Sequence, residues 1–264
     1  MNSILKDFVY GLRSLLKHPG FTAIAVVILA LGVAATTAIF SVVNGVLLRP
    51  LPYPEPDRLM VITEVNPQQG PEPFELSYLN WLDLRQQSKS FEEIAGVEFS
   101  SSVLTINGEP SRIMTTAVSA NLFPLLRAHA AQGRTFLPED EKAGANRVVV
   151  VSQRFWQRYF PNQSLNNQGI NLDNNGYAVV GVMPAGFQFP DDKMDVWAPF
   201  GPNSAARYYQ NRAVHFIFGL GRIKPGIAPE DAQKELAGIF AGIQQEHAKE
   251  DAGHSVTITS LQER

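Results

Sequence analysis

The sequence contains no cysteine, and this absence excludes several kinds of chemistry at once. Without thiols the chain can form no disulfide framework, no iron–sulfur cluster, no cysteine zinc site and no thiolate nucleophile. A strong basic charge is also lacking, because 22 basic residues stand against 25 acidic ones and the formal net charge is −3. Since nucleic-acid binding usually requires an excess of Lys and Arg to neutralise phosphates, we expect no nucleic-acid partner.

The common motifs of nucleotide-binding and hydrolytic proteins are missing as well. The sequence has no G-x-x-x-x-G-K-[ST] loop, no G-x-S-x-G elbow and no H-E-x-x-H pair. Residues 219–221 read Gly-Leu-Gly but lack the third glycine of a dinucleotide-binding fingerprint. We therefore expect no enzyme activity, no catalytic residues and no cofactor-binding residues, and the chain is not itself an ATPase.

The residues that could bind a metal do not show the spacing of a known metal motif. The five histidines are His18, His129, His215, His247 and His254, and none lies four residues from another. The acidic runs at residues 139–141 and 191–195 do not follow the spacing of a calcium-binding loop. The sequence therefore predicts no metal site and no stoichiometric zinc.

One long apolar run dominates the N-terminal part of the chain. Residues 21–48 contain no Asp, Glu, Lys, Arg or His. At about 1.5 Å per residue such a helix is longer than the roughly 30 Å apolar core of a bilayer. A cleaved signal peptide is the nearest alternative, but its apolar part is normally about 7 to 15 residues, and a buried helix of a soluble protein is a further one. We predict an uncleaved transmembrane helix over residues 19–49.

The charges around this run predict its orientation. Lys6, Arg13 and Lys17 precede it together with only Asp7, whereas residues 49–264 carry 19 basic and 24 acidic side chains. The positive-inside rule then places the N-terminus in the cytoplasm and the rest of the chain outside it.

Residues 1–18 carry a second helical pattern. Apolar residues recur at the spacing of one helix face, and the basic residues lie on other faces. The apolar residues are Ile4, Leu5, Phe8, Val9, Leu12, Leu15 and Leu16. This pattern predicts an amphipathic helix that lies in the cytoplasmic membrane interface, and Pro19-Gly20 would end it.

Residues 50–264 predict a domain in which strands and helices alternate. Four prolines in residues 49–56 indicate a stiff exit from the membrane. Strands are predicted at residues 59–65, 103–106, 112–118, 147–151, 170–173, 177–182, 214–220 and 256–259. Helices are predicted at residues 77–87, 119–126, 152–159 and 229–248, the first three beginning at Ser77, Ser119 and Ser152 as caps. Hairpin turns are expected at residues 107–108 and 174–176.

Several segments resemble the MacB-like ABC-transporter permeases, and most closely the duplicated orphan permeases of the acidobacterial type. In the N-terminal part these are residues 7–13 (DFVYGLR), 18–22 (HPGFT), 38–44 (AIFSVVN) and 47–54 (LLRPLPYP). In the later part they are residues 119–123 (SANLF), 149–152 (VVVS), 177–187 (YAVVGVMPAGF) and 195–199 (DVWAP). The segments occur in the order of that family and span nearly the whole chain.

This resemblance implies an α+β fold with one N-terminal transmembrane helix followed by a two-lobed periplasmic core domain over residues 50–264. A porter-like lobe would comprise about residues 55–130 and 214–264, and an inserted, more β-rich lobe would comprise about residues 131–213. The implied location is the bacterial inner membrane, with the main domain in the periplasm.

The resemblance also implies a non-catalytic permease that couples the movement of a separate cytoplasmic ATPase to the periplasmic domain, for export or lipoprotein handling. Further permease helices and a homodimeric assembly are implied partners. Family members continue into three more membrane helices, whereas this sequence ends at Arg264, so we expect a fragment or one half of something larger. Two alternatives stay open, a single-span periplasmic ligand sensor and a membrane-anchored periplasmic hydrolase, although no nucleophile, base and orienting group can be nominated for the latter.

Overall fold

The computed structural model describes residues 17, 19–46, 51–68, 70, 72–106 and 108–263. The chain divides into two compact units, Met1–Pro50 and Leu51–Arg264. The amphipathic helix predicted for residues 1–18 lies outside the described residues, apart from Lys17, and so do residues 47–49 of the predicted membrane span.

The first unit contains one long apolar helix, α1 (Pro19–Val46). Its segment Pro19–Ala38 is long and apolar enough to cross a membrane, with a mean hydropathy of 2.2. Large side chains such as Phe21, Ile24 and Leu29 are exposed, so this unit offers them no apolar core. The Thr36 hydroxyl donates to the Gly32 carbonyl oxygen at 2.9 Å, which satisfies this polar group within the helix. By length and composition, α1 is suited to a bilayer.

Within the described part of the second unit, eleven strands form one continuous sheet in the order β11-β1-β10-β3-β4-β9-β6-β8-β5. Strand β2 pairs with β10, and β7 pairs with β3 and β8. The strands are β1 (Leu59–Val65), β2 (Leu76–Ser77), β3 (Phe91–Ile106), β4 (Glu109–Val118), β5 (Gln132–Gly133), β6 (Val148–Val151), β7 (Gly169–Leu172), β8 (Asn175–Val182), β9 (Val196–Pro199), β10 (His215–Ile223) and β11 (Ser255–Ser260).

Two of the α-helices of the second unit begin where a serine side chain caps the first turn. The helices are α2 (Tyr78–Gln87), α3 (Leu122–Leu125), α4 (Gln153–Tyr159) and α5 (Pro229–Glu246), with short 3-10 turns at Pro56–Arg58, Pro138–Glu141, Gly201–Asn203 and Leu261–Glu263. Ser77 and Ser152 accept hydrogen bonds from the backbone N–H groups of Asn80 and Phe155. Both caps are confirmed as predicted.

One apolar core lies between helices α2 and α5 and the strands beside them. Leu236, Phe240 and Ile243 on one face of α5 are buried with Trp81 and Leu84 of α2. Residues of β1, β3 and β10 complete this cluster, so the late helix returns to pack on the early elements of the chain. The alternating strand β10 and the amphipathic helix α5 occur where the sequence predicted them.

A second core lies around β6, β7, β8 and helix α4, and a third cluster connects the two. Val149, Phe155 and Trp156 belong to the second core. The connecting cluster includes Phe123 and Trp197, which stand in edge contact with ring centroids 6.1 Å apart. The sheet runs through all three clusters. A β-rich α+β domain after one apolar helix is confirmed, while the lobe boundaries at residues 131 and 213 stay a prediction.

Two local predictions were wrong, one for a helix and one for a hairpin turn. The helix predicted for residues 119–126 is the single turn α3, and Ser119 does not cap it. The Ser119 hydroxyl instead accepts from the Gly96 N–H of β3 at 2.9 Å and donates to Asn121 Oδ1 at 2.6 Å. A serine hydroxyl that bonds a neighbouring strand is no longer available to cap a helix.

The second hairpin turn lies one residue earlier than predicted. Leu172 pairs with Asn175, so Asp173 and Asn174 form the turn, and both have positive φ angles. Asp and Asn tolerate this left-handed conformation, so the glycine at residue 176 is not required in the turn. The carboxylate of Asp173 also accepts a hydrogen bond from the Val103 N–H of β3 at 2.8 Å. This bond holds the turn against the longer hairpin that β3 forms with β4.

Candidate functional site

A pocket of about 240 Å³ lies where strands β3 and β4 approach the β7–β8 hairpin. Its lining is rich in hydroxyl groups: it includes Ser100, Ser102, Thr115, Tyr208 and Tyr209. Ser100 and Ser102 both lie within hydrogen-bond distance of Thr115 Oγ1, at 3.0 and 3.2 Å. The hydroxyl groups therefore bond largely to one another, and the pocket offers a polar wall without an evident nucleophile and base.

Two carboxyl groups line this pocket, those of Glu98 and Asp173, and Glu98 bonds to one of its tyrosines. The Tyr209 hydroxyl donates to Glu98 Oε2 at 2.6 Å. Burial raises the pKa of Glu98, and the hydrogen bond from Tyr209 only partly opposes this effect. Burial and the neighbouring Glu98 charge likewise raise the pKa of Tyr209, so its phenol stays protonated at neutral pH. The pair is a hydrogen-bond donor and an acceptor joined at the wall of the pocket.

The raised pKa of Glu98 predicts a pH dependence of folding. Its folded-state pKa lies above the value of 4.5 for a free carboxyl group, so the folded chain binds this proton more tightly than the unfolded chain does. This stabilising contribution is fully present below pH 4.5 and is lost as the pH rises through the folded pKa. We expect the unfolding free energy of wild type, measured with urea, to fall relative to that of Glu98→Gln as the pH is raised from 4.5 to 8.

Glu109→Gln, which changes an exposed carboxyl on β4, is the control for this comparison. Its unfolding free energy should run parallel to that of wild type across the same pH range. If the unfolding free energies of Glu98→Gln and wild type also change in parallel with pH, burial does not raise the pKa of Glu98.

A second polar site combines two histidines with two carboxylates: Glu64, His215, Asp251 and His254, hereafter the His215–His254 cluster. One ligand atom from each residue lies within 4.8 Å of the others. Glu64 Oε2 is 3.1 Å from His254 Nδ1 and 3.4 Å from His215 Nε2. Glu64 and Asp251 are fully buried. Three separate segments supply these residues: strand β1, the start of β10, and the loop between α5 and β11.

The surroundings of the cluster fix its carboxylates. The Asn80 side-chain amide donates to Glu64 Oε1 at 3.0 Å and to Asp251 Oδ1 at 2.8 Å. Burial and the nearby charge of Glu64 raise the pKa of Asp251. Burial alone would lower the pKa of His215, but the neighbouring carboxylate of Glu64 raises it overall. The cluster therefore brings two buried carboxylates and two imidazoles together in one group.

A third polar site lies at the beginning of the core domain. Arg222 of β10 is 1% exposed, and its Nε donates to the Leu125 carbonyl oxygen at 2.8 Å. Its Nη1 donates to the carbonyl oxygens of Pro54 and Glu55, at 2.9 and 3.2 Å. The Tyr53 hydroxyl donates to the Gln188 carbonyl oxygen in the same region. These bonds attach the first residues of the core domain to its interior.

Ion pairs surround this attachment at the surface. Arg58 contacts the carboxylates of Glu55 and Glu92, and Arg127 contacts the same two carboxylates. The hydrogen bond from Arg58 lowers the pKa of Glu55. Burial and the two neighbouring arginines lower the pKa of Arg222, although a guanidinium remains charged at neutral pH. The segment that leads into the core is thus held by the buried Arg222, the half-buried Arg58 and the exposed Arg127.

Three residues of the acidic runs considered in the sequence form ordinary ion pairs. Asp140 accepts two hydrogen bonds from Arg134, and Glu141 pairs with Arg85 at 2.6 Å. Asp195 pairs with Arg154 at 2.9 Å. The sequence missed the His215–His254 cluster because its members lie at residues 64, 215, 251 and 254, and only the pairing of β1 with β10 and β11 brings them together. The Asp-x-x-His spacing of the last two was the one local signal.

The Gly-Leu-Gly segment of residues 219–221 has a packing role. It lies inside β10, where a Cβ atom on Gly221 would stand 2.4 Å from the Phe91 ring. Glycine is therefore required for close contact between strand and side chain, and the segment lacks the strand-to-helix turn of a dinucleotide site.

A known family matches the sequence over residues 22–239, and its description is MacB-like periplasmic core domain. The chain belongs to this family. The family is that of transporter permease components, and the match includes most of helix α1 as well as the core domain. The resemblance found in the sequence is thereby confirmed at the level of the MacB-like family.

Two solved structures share the fold of this MacB-like domain. The periplasmic region of MacB from Actinobacillus actinomycetemcomitans aligns with a TM-score of 0.57 and 15% identity, over 77% of this chain and 89% of that one. The extracellular domain of the noncanonic ABC-type transporter YknZ from Gram-positive bacteria aligns with a TM-score of 0.56 and 12% identity, over 75% of this chain and 99% of that one. No curated protein sequence matches the chain.

Proposed function

We propose that the chain is the first membrane helix and the periplasmic core of a MacB-like ABC-transporter permease in the bacterial inner membrane. It carries no catalytic residues of its own. A separate cytoplasmic ATPase drives movement of the membrane helices, and the core domain uses this movement in export or in handling of lipoproteins. Further permease helices complete the membrane part, and two copies assemble.

The observation that carries this proposal is the extent of the family match. The match begins at residue 22, inside helix α1 (Pro19–Val46), and continues to residue 239 in helix α5. The apolar helix and the core domain therefore belong to one family unit. If the chain were a sensor or a hydrolase with an unrelated membrane anchor, the family match would not be expected to include the helix.

The attachment of the first core residues supports a mechanical role. The buried guanidinium of Arg222 holds the carbonyl oxygens of Pro54 and Glu55, within the proline-rich segment of residues 49–56. A segment held at several points transmits displacement to the sheet with little loss, whereas a flexible linker would absorb it. This arrangement suits a domain that must follow the movement of its membrane helix.

The absence of cysteine allows a direct test of topology. Ser111 is exposed on β4 of the core, and Ser3 precedes the apolar run. We expect a membrane-impermeant thiol reagent to label Ser111→Cys in intact spheroplasts and to label Ser3→Cys only after lysis. Both proteins should remain in the membrane fraction at full length. Labelling of Ser3→Cys in intact spheroplasts would mean that the orientation is opposite to the one proposed. A shortened soluble product would identify a cleaved signal sequence.

The coupling itself is tested in the assembled transporter. A fluorophore on Ser111→Cys in the cysteine-free chain reports movement of the core domain when ATP is added to the complex with its ATPase and remaining helices. We expect a signal change with ATP that is lost when the ATPase carries an inactive Walker motif. An ATP response that persists with the inactive ATPase, or no response with the active one, contradicts the proposed coupling.

A further inference from the structure

Two buried polar atoms of the His215–His254 cluster are unsatisfied. Among the described residues, His215 Nε2 and Asp251 Oδ2 have no hydrogen-bond partner. Asp251 is 0% exposed, so water does not compensate for the missing partner at its surface. An unpaired buried acceptor costs about 1–3 kcal/mol, and native proteins rarely retain one without a reason. Both atoms belong to the same small group of side chains, which suggests a shared missing partner.

The separations within the cluster are close to those of a metal site. Ligand atoms around a tetrahedral zinc ion, each about 2.0–2.1 Å from the metal, lie about 3.4 Å from one another. Glu64 Oε2 is already 3.1 and 3.4 Å from the two histidine nitrogens, and all four ligand atoms lie within 4.8 Å. Small side-chain shifts would therefore complete the geometry.

We propose that Glu64, His215, Asp251 and His254 bind one divalent transition-metal ion, for which zinc is the best-suited cation. Two imidazoles and two carboxylates form a nitrogen and oxygen ligand set that zinc accepts, whereas calcium and magnesium prefer oxygen ligands alone. The proposal goes beyond the permease role and does not depend on it. It also opposes the expectation from sequence spacing that the chain binds no zinc.

The groups around the cluster are arranged as the outer shell of a metal site usually is. Asn80 donates to Glu64 Oε1 and to Asp251 Oδ1, and the Ser77 N–H also donates to Glu64 Oε1 at 3.3 Å. These bonds occupy one oxygen of each carboxylate, while Glu64 Oε2 contacts both histidines and Asp251 Oδ2 stays unpaired among the described residues. Outer hydrogen bonds of this kind orient ligands and increase metal affinity.

The charge of the cluster also fits a divalent ion. The buried carboxylates of Glu64 and Asp251 carry two negative charges when ionised, and Arg212 nearby is bonded to Asn80 and Asp83 instead. One divalent cation neutralises both carboxylates while the imidazoles remain neutral ligands. Such an ion would connect strand β1, strand β10 and the loop before β11, and its effect would be to stabilise the C-terminal part of the sheet.

The two histidines are partly exposed to solvent, and one aromatic ring packs against both of them. Their side chains are 17% and 12% exposed, for His215 and His254, so an ion can reach the cluster from solvent. The Phe74 ring packs edge-on against both imidazoles, with centroid distances of 5.3 Å to each. An apolar neighbour of this kind lowers the local polarity and strengthens the attraction between metal and ligands.

The test uses the full chain in detergent, purified without a polyhistidine tag and treated with EDTA. Zinc chloride is titrated with calorimetry, and cobalt chloride is used as a spectroscopic probe of geometry. We expect one zinc ion per chain, a rise in melting temperature with zinc that EDTA reverses, and the strong visible bands of tetrahedral cobalt. His254→Gln should weaken binding at least about 100-fold and abolish the cobalt bands.

His129→Gln is the matched control, because His129 is exposed and lies outside the cluster. It should bind zinc and cobalt as wild type does. Glu64→Gln provides a second variant that keeps the shape of the side chain while removing its charge, and it should also lose binding. The proposal is overturned if wild type binds no stoichiometric zinc. It is equally overturned if His254→Gln retains the zinc affinity of wild type.

Discussion

Replacing Phe240 by aspartate is expected to lower the unfolding free energy of the core domain by more than about 4 kcal/mol, because it combines two large penalties. Deleting a buried phenylalanine costs about 3–5 kcal/mol, and placing a carboxylate in an apolar core adds a desolvation cost without a partner. Phe240 is 1% exposed and packs in the core that joins α5 to α2. Since domains are stable by only about 5–15 kcal/mol, such a loss would remove a large part of the stability of the core domain.

Urea unfolding followed by tryptophan fluorescence measures this effect, because Trp81 lies in the same buried cluster. Ala241→Asp is the control: it adds the same side chain at an exposed position of the same helix. Its cost should be limited to the weaker helix propensity of aspartate, about 0.5 kcal/mol. If the two variants unfold at similar urea concentrations, α5 does not pack against the early elements of the chain as described.

Sequence reasoning succeeded where local chemistry decides the structure. The strand Leu59–Val65 was predicted to the residue, because an apolar run rich in β-branched residues is bounded by Asp57 and by Pro67. The serine caps of α2 and α4 were found because a cap requires only a hydroxyl group within three residues of the helix start. The apolar stripe of α5 was visible because its spacing follows the helical repeat.

Sequence reasoning failed where contacts between distant parts of the chain decide the structure. The short strand β9 (Val196–Pro199) exists because β4 pairs with it in parallel and β6 in antiparallel fashion. Ser119 was taken for a cap because the sequence does not show that the Gly96 N–H would lie beside it. The His215–His254 cluster was missed for the same reason: its residues span 190 positions and meet only after β1 has paired with β10 and β11.

Replacing Arg222 by methionine is expected to lower the unfolding free energy by roughly 3 kcal/mol, since three carbonyl oxygens lose their donor together. Those oxygens belong to Pro54, Glu55 and Leu125. Methionine retains much of the buried volume, so the loss would come from unpaired polar groups rather than from a cavity. Relief of the buried charge offsets part of the cost, because Arg222 Nη2 has no hydrogen-bond partner among the described residues.

Two measurements separate a specific attachment from a general weakening of the fold. Urea unfolding gives the total effect, and Arg112→Met, which changes an exposed arginine on β4, should stay within about 0.5 kcal/mol of wild type. Amide hydrogen exchange then locates the effect. We expect residues 53–58 to exchange faster in Arg222→Met under conditions where β6 retains its protection, because residues 54 and 55 lose direct bonds to Arg222 and β6 loses none. Equal acceleration in both regions would mean that Arg222 supports the sheet as a whole, and the entry segment would then have no separate mechanical connection to the core.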